Sequence, residues 1–351
     1  MSNSVFNSQN VITEHISNAD LKAYFVGFDF DSFRYDDLVD SILDKIVEFS
    51  FGFHKGINPA GSNREKHRRL LIEAAKSIYK ISNNSNVNSF QQAKKKYVDE
   101  NSEYEDDIEG KYLNRGEFGE IILHLILRDF IKTSPLISKI YFKDSDGMTV
   151  HGFDAVHIGN CIKESQEKSL YLGESKLYKD GKNGVKALIG DIEEHFKKDF
   201  LEREFVLIGK KSDSFHKIED YADKNTKDEY EQFLQEKDYW FSELDKLQTD
   251  QGKMQDLFKS VTIPLLCTYT SRVFKDNTDE GTEKFKTEYK SEIDNLKSTF
   301  DEELEKLKKK YKNSGEPIST NLNIVLMLFP VPCKKELVKR LHTKLYHQQN
   351  S

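Results

Sequence analysis

Cysteine is scarce in this chain: Cys161, Cys267 and Cys333 are its only thiols in 351 residues. An odd number at such distances builds neither a disulfide framework nor a cysteine-rich zinc site, so buried free thiols are expected. Long hydrophobic runs are missing as well. No apolar stretch approaches the roughly 18 to 20 residues that a membrane helix needs, and Met1 to Asn10 lacks the charged-then-apolar layout of a secretory signal. The expectation is a cytoplasmic protein with no membrane contact. Bulk positive charge is absent too. With 60 acidic against 53 basic side chains the net charge is -7. That argues against coating nucleic acid by overall electrostatics, but a catalytic groove needs only a local positive patch. No GxxxxGK[ST] phosphate loop occurs, so any ATP-driven step has to come from another chain. Pro332-Cys333 has neither the second cysteine nor the upstream His-x-Glu of a zinc deaminase, which removes that chemistry.

What is present describes a globular protein with a strongly charged surface: 37% hydrophobic and 32% charged residues, with 24 Phe and 16 Tyr. The length exceeds the roughly 100 to 200 residues of one typical domain, so one elaborated domain or two is expected. Residues 1–105 read as a small N-terminal α/β module with a helix over Asp37 to Phe49, whose Leu38, Ile42, Ile46 and Val47 share a face. Its basic cluster of Lys55, Arg64, Lys66, Arg68 and Arg69 is either a solvated helix face or a surface for DNA or a partner. Asn83 to Gly110 is polar and includes the acidic run Asp99 to Glu109, the composition of a connecting segment.

Residues 106–351 read as the second domain. Arg115 to Phe130 is a helix apolar around most of its circumference, with Glu117, Glu120, His124 and Arg128 as its polar stripe. Ile137 to Phe142, Gly152 to Ile158, Ser169 to Ser175, Phe205 to Ile208, Ile263 to Thr270 and Asn323 to Phe329 are β-branched or aromatic runs between turn residues and read as strands. The order points to an α/β fold, a mixed central sheet flanked by helices. Two Lys/Glu-rich stretches, near 212–260 and 276–314, read as long inserted surface helices. The second places Tyr289, Ile293, Leu296, Phe300, Leu304 and Leu307 at helical spacing, able to pack within the chain or against a partner helix.

The chemistry concentrates at Asp154, in the strand Gly152 to Ile158, and at Glu174, 20 positions on and near the end of the next strand. Two neighbouring strands can set these carboxylates side by side. Side chains alternate along a strand, so Glu174 and Lys176 point one way and Ser175 the other. Hard divalent cations prefer oxygen ligands, so Asp154, Glu174 and the Ser175 backbone carbonyl form half a coordination shell for Mg²⁺, or Mn²⁺. Such a cation activates water and stabilises charge on a phosphate under attack, and Lys176 beside it orients the water or adds positive charge. Glu120 supplies a further carboxylate from the preceding helix, with Glu117 one turn earlier as its competitor. A Glu-x-Lys triplet alone is weak, since Glu288-Tyr-Lys290 repeats it. Context separates the two, because Glu288 lies in a charged helical stretch. A structural ion-pair cluster is the plainer reading of the same residues. His151 and His157 fall on the strand face opposite Asp154, against a metal triad. Asp180-Gly-Lys-Asn-Gly184, with Lys179, Lys186 and His195 nearby and Arg115 upstream, either tracks a phosphate backbone or is simply a turn and helix start.

The order of RGxxxE (Arg115, Gly116, Glu120), Asp154 and Glu174-Ser-Lys176 resembles the PD-(D/E)xK nuclease superfamily. More narrowly, RGEFGE, GFDAVHI, LGESK and the late LFPVPCKKELV resemble the HamA family, effectors of the bacterial Hachiman anti-phage system, over about Gly110 to His347. The resemblance implies a restriction-endonuclease-like core and a magnesium-dependent nuclease that degrades DNA beside a superfamily 2 helicase partner of the HamB kind. By motif it assigns Asp154, Glu174 and Lys176 to the nuclease core and Glu120 to the helix glutamate. Phe153 stands where the motif name has proline. The competing expectation is a non-catalytic regulatory or adaptor subunit of the helicase, with a nuclease-like fold.

Overall fold

The computed structural model describes residues 8–57, 64–81, 116–138, 152–163, 167–209, 224–249, 253–314, 316, 318 and 322–349. The expected connecting segment at 83–110, Arg115 and His151 lie outside them. The N-terminal part contributes β1 (Ile12–Ser17), β2 (Leu21–Val26), the hairpin β3 (Phe28–Asp29) and β4 (Ser32–Phe33), then α1 (Tyr35–Asp44), α2 (Ile46–Phe51), α3 (Phe53–Ile57) and α4 (Arg64–Ile81). The helix read over Asp37 to Phe49 is thus two, broken at Lys45. Next come α5 (Gly116–Asp129), β5 (Ser134–Pro135), β6 (Ala155–Asn160), β7 (Lys168–Tyr178), α6 (Gly181–His195), α7 (Lys198–Gly209), α8 (Lys224–Gln248) and α9 (Met254–Lys259). The chain continues with β8 (Val261–Thr270), α10 (Arg272–Asp276), α11 (Glu283–Tyr311), β9 (Asn323–Val331) and α12 (Lys334–Gln349).

Seven strands form one mixed sheet in the order β1-β2-β9-β8-β7-β6-β5. The pairs β2/β9, β9/β8 and β8/β7 are parallel, and the two flanks are antiparallel. β8 and β9 are buried along nearly their whole length, as parallel strands are when helices cover both faces. On one face Val185, Leu188 and Ile192 of α6, Phe205 of α7, Trp240 of α8 and Tyr289 and Ile293 of α11 pack with Leu170, Leu172 and Leu265. On the other, Leu38 and Ile42 of α1, Ile121, Ile122 and Leu125 of α5 and Leu337 and Leu341 of α12 pack with Tyr171, Leu266 and Met327. The result is a three-layer α/β architecture, as the sequence led us to expect.

Several local expectations need correcting. Phe205 to Ile208 is not a strand but part of α7. Leu201, Phe205 and Ile208 are all buried at helical spacing, and a four-residue apolar run does not by itself separate a strand from a buried helix face. The strand expected at Ile137 to Phe142 is replaced, within the described residues, by the short β5 at Ser134–Pro135, and 139–142 lie outside them. The inserted stretches are helical, as α8 and α11, yet neither is only a surface feature. Tyr230, Phe233, Trp240 and Leu244 of α8 are buried, as are Tyr289, Ile293, Leu296 and Phe300 of α11, which lies against α6. The N-terminal strands share the main sheet. Leu21 to Ala23 pair in parallel with Leu326 to Leu328, and the Tyr289 hydroxyl donates to the Tyr24 carbonyl at 3.0 Å. Among the described residues, no helix is long and apolar enough to cross a membrane.

Candidate active site

β7 carries the site, and its alternation sorts the residues. Leu172, Glu174 and Lys176 face α6, whereas Gly173, Ser175 and Leu177 face α5, because a side chain in a strand points opposite to its neighbours'. Contacts on each side agree. Glu174 and Lys176 meet His195 and Asp191 of α6, whereas a Cβ on Gly119 of α5 would lie 3.1 Å from the Ser175 hydroxyl oxygen.

Asp154 stands immediately before β6 rather than inside a strand, and Glu174 lies in the body of β7 rather than near its end. The register still brings them together. Ala155 pairs with Gly173 in antiparallel fashion, so the next rung sets Asp154 opposite Glu174. Asp154 Oδ2 accepts from the Ser175 backbone N–H at 2.9 Å and from the Ser175 hydroxyl at 2.8 Å. The Ser175 side chain, expected to point away, is therefore one of the groups that hold Asp154. In a strand, the N–H and C=O of one residue face the same edge. Since the Ser175 N–H reaches Asp154, its carbonyl faces the edge where β6 has ended.

α6 forms the wall opposite Glu174 and Lys176. Its start is the Asp180-Gly-Lys-Asn-Gly184 segment: Asp180 caps the helix by accepting from the Asn183 N–H at 2.8 Å. Gly184 permits close approach to the sheet, since a Cβ there would stand 2.5 Å from Cys267 Sγ. Asp191 and His195 follow one turn apart. Lys176 Nζ lies 2.5 Å from Asp191 Oδ2, and His195 Nδ1 and Glu174 Oε1 share a hydrogen bond of 2.6 Å. The His195 ring stacks on Phe200, with centroids 4.9 Å apart, and meets the edge of Phe153, the residue in the motif's proline position.

The electrostatics follow from burial. Glu174 is 3% exposed, and its carboxyl is pushed up to about 8 by that burial and by the neighbouring Asp154 charge, against the pull of His195. Burial lowers the His195 imidazole, but the Glu174 hydrogen bond and charge outweigh it and hold it above its ordinary value. Lys176 behaves likewise: burial disfavours its charge, and Asp191 more than restores it.

Glu120 is buried on α5, the helix packed on the Ser175 side of β7, so it starts from the sheet face opposite Glu174 and Lys176. Glu117, a turn earlier, is more exposed. Among the described residues, no three His, Cys, Asp or Glu side chains stand together as a metal-holding group. The donors that do converge still suit Mg²⁺, which is commonly held by one or two carboxylates and completed by water and phosphate oxygens. Two adjacent carboxylates, one of them raised by the other's charge, are a pair that a cation would relieve. His157 serves elsewhere: it is buried, hydrogen-bonded to His124 at 3.1 Å and to Thr133 at 2.9 Å.

The sequence reading named His195 only as a basic residue of the following helix, and it missed Asp191. The available signal was Asp-Ile-Glu-Glu-His, which puts an acid and an imidazole on one helix face directly after the Glu-x-Lys strand. Comparison with known proteins matches residues 2–345 to the family model HamA. No curated protein matches the chain.

Proposed function

The chain belongs to the HamA family, which gives it a role in Hachiman anti-phage defence beside a partner of that system; from that premise we propose that it is the system's metal-dependent DNA phosphodiester hydrolase. The observation that carries the reading is the meeting of Asp154, Glu174 and Lys176 at the start of β6, with the two carboxylates opposite each other on one rung and the lysine on the same face as Glu174. Asp154, Glu174 and the Ser175 carbonyl would hold Mg²⁺ or Mn²⁺, with Glu120 supporting from α5. Such an ion, when bound, lowers the pKa of a coordinated water and offsets charge developing on phosphate. Lys176 places a compact cation where the phosphate of a DNA strand would approach, and so favours the added negative charge of the transition state. Ser175 holds the Asp154 side chain in place through two hydrogen bonds. A superfamily 2 helicase partner would expose or deliver the DNA.

One observation favours a second reading. Lys176 and Glu174 are both engaged by α6 side chains, as in a structural ion-pair cluster, which suits a regulatory or adaptor subunit with a dormant site. Thermal melts in Mg²⁺ or Mn²⁺ against EDTA separate the two. Stabilisation by the cation that Asp154→Asn abolishes supports the hydrolase. A melting temperature indifferent to cations, with partner and DNA still bound, supports the adaptor.

A further inference from the structure

We infer that Asp191 and His195 are positioning residues of this site: His195 fixes the orientation of the Glu174 carboxylate, and Asp191 fixes that of the Lys176 ammonium. The inference rests on the hydrolase reading above and adds α6 to its working parts. Both contacts come from one face of one helix, four residues apart, and they reach the two β7 side chains that share a face.

The geometry is suited to holding rather than reacting. A positioning group must itself be fixed. The His195 ring is fixed by stacking on Phe200 and by the edge of Phe153. The helix beneath it is fixed by the Asp180 cap, by Gly184 against Cys267 and by Gly181 against Tyr269. Glu174 is buried beside Asp154, and its own strand does not fix the rotation of its carboxyl group. The 2.6 Å hydrogen bond to His195 holds one of its oxygens in place. Lys176 ends a flexible four-carbon stem, and the 2.5 Å pairing with Asp191 selects one placement of its ammonium. Hydrogen-bond partners behind a metal ligand typically set metal affinity by 10- to 100-fold, so the loss of either contact should be felt at the cation or at the phosphate.

The test uses the full chain with its partner and varies donor and packing separately. His195→Phe keeps a ring for Phe200 to stack on but removes the hydrogen bond; His195→Asn keeps a donor near the Nδ1 position. The cation concentration giving half-maximal thermal stabilisation is read for each, followed by kcat and KM on DNA for Asp191→Ala and Asp191→Glu. The expected result is a cation requirement raised about 10- to 100-fold in His195→Phe and largely restored in His195→Asn. Asp191→Ala should lower kcat about 10- to 100-fold with its cation requirement unchanged, and Asp191→Glu should recover part of that loss. An unaltered cation requirement in His195→Phe, an Asn variant no better than Phe, or an unaltered kcat in Asp191→Ala overturns the inference while leaving the hydrolase standing. A wild-type chain that responds to no divalent cation overturns the hydrolase reading itself, and this inference with it.

Discussion

At the scale of single residues, burial decides which charges persist. Glu48, enclosed beneath α5, has its carboxyl raised by burial and is opposed by Arg128 and Lys45, which tie the N-terminal helices to α5. His124 and His157 show the other outcome, since burial drives both imidazoles well below their ordinary 6.5. The folded form therefore keeps both neutral where the unfolded chain takes up protons. Their effect on stability is absent above pH 6.5 and becomes an increasing penalty as the pH falls below it, until the depressed folded values are reached. Unfolding free energies from urea titrations, measured downward from pH 6.5, should decline by up to about 1.4 kcal/mol per pH unit for each histidine. A His124→Asn, His157→Asn double variant should show a shallower decline, and equal slopes would contradict the account. The site itself was partly legible at this scale. Asp154, Glu174 and Lys176 could be associated because alternation along β7 and pairing with β6 follow from sequence. The spacing of Asp191 and His195 put them on one helix face but could not join them to the site, because which helix face lies against which strand is settled by tertiary packing.

At the scale of elements, α6 positions half of the site, and its approach to the sheet depends on Gly184. An added methyl would overlap Cys267 Sγ and crowd Tyr178. Gly184→Ala should cost about 1 to 3 kcal/mol in chemical denaturation, the usual range for overpacking, and should impair the site because Asp191 and His195 move with the helix. Unchanged stability would mean that α6 is free to shift. The long elements were legible wherever periodicity was sustained: the apolar stripe of α11 is buried as spaced apart from the half-buried Leu304, and β8 and β9 occupy the apolar runs that suggested them. The failures were short. Phe205 to Ile208 offered too few residues to tell period 2 from period 3.6, and the break at Lys45 left no mark in the apolar pattern of α1 and α2.

At the scale of the whole molecule, the sequence suggested a boundary near residue 105, but the strands on either side of it share one sheet. The Tyr35 hydroxyl accepts from the Cys333 N–H at 2.8 Å, Lys45 Nζ lies 2.7 Å from Asp129 Oδ1, and Arg340 meets Asp36 at 2.8 Å. A composition shift marks a polar segment, but it does not reveal that β2 returns to pair with β9. A chain begun at residue 106 would lose β1 and β2 and leave β9 as an open, apolar edge. It should be insoluble or lack a cooperative melt, whereas a soluble, cooperatively folded fragment would show that the second part stands alone. The central claim concerns what the assembled site does to DNA. Cleavage is the direct measurement: the chain with and without its helicase partner and ATP, in Mg²⁺ or Mn²⁺ against EDTA, beside a Glu174→Ala, Lys176→Ala variant. The account predicts cation-dependent cutting, reduced at least about 100-fold in the variant; undiminished cutting by the variant, or no cutting by the wild type while the partner stays bound, would contradict it.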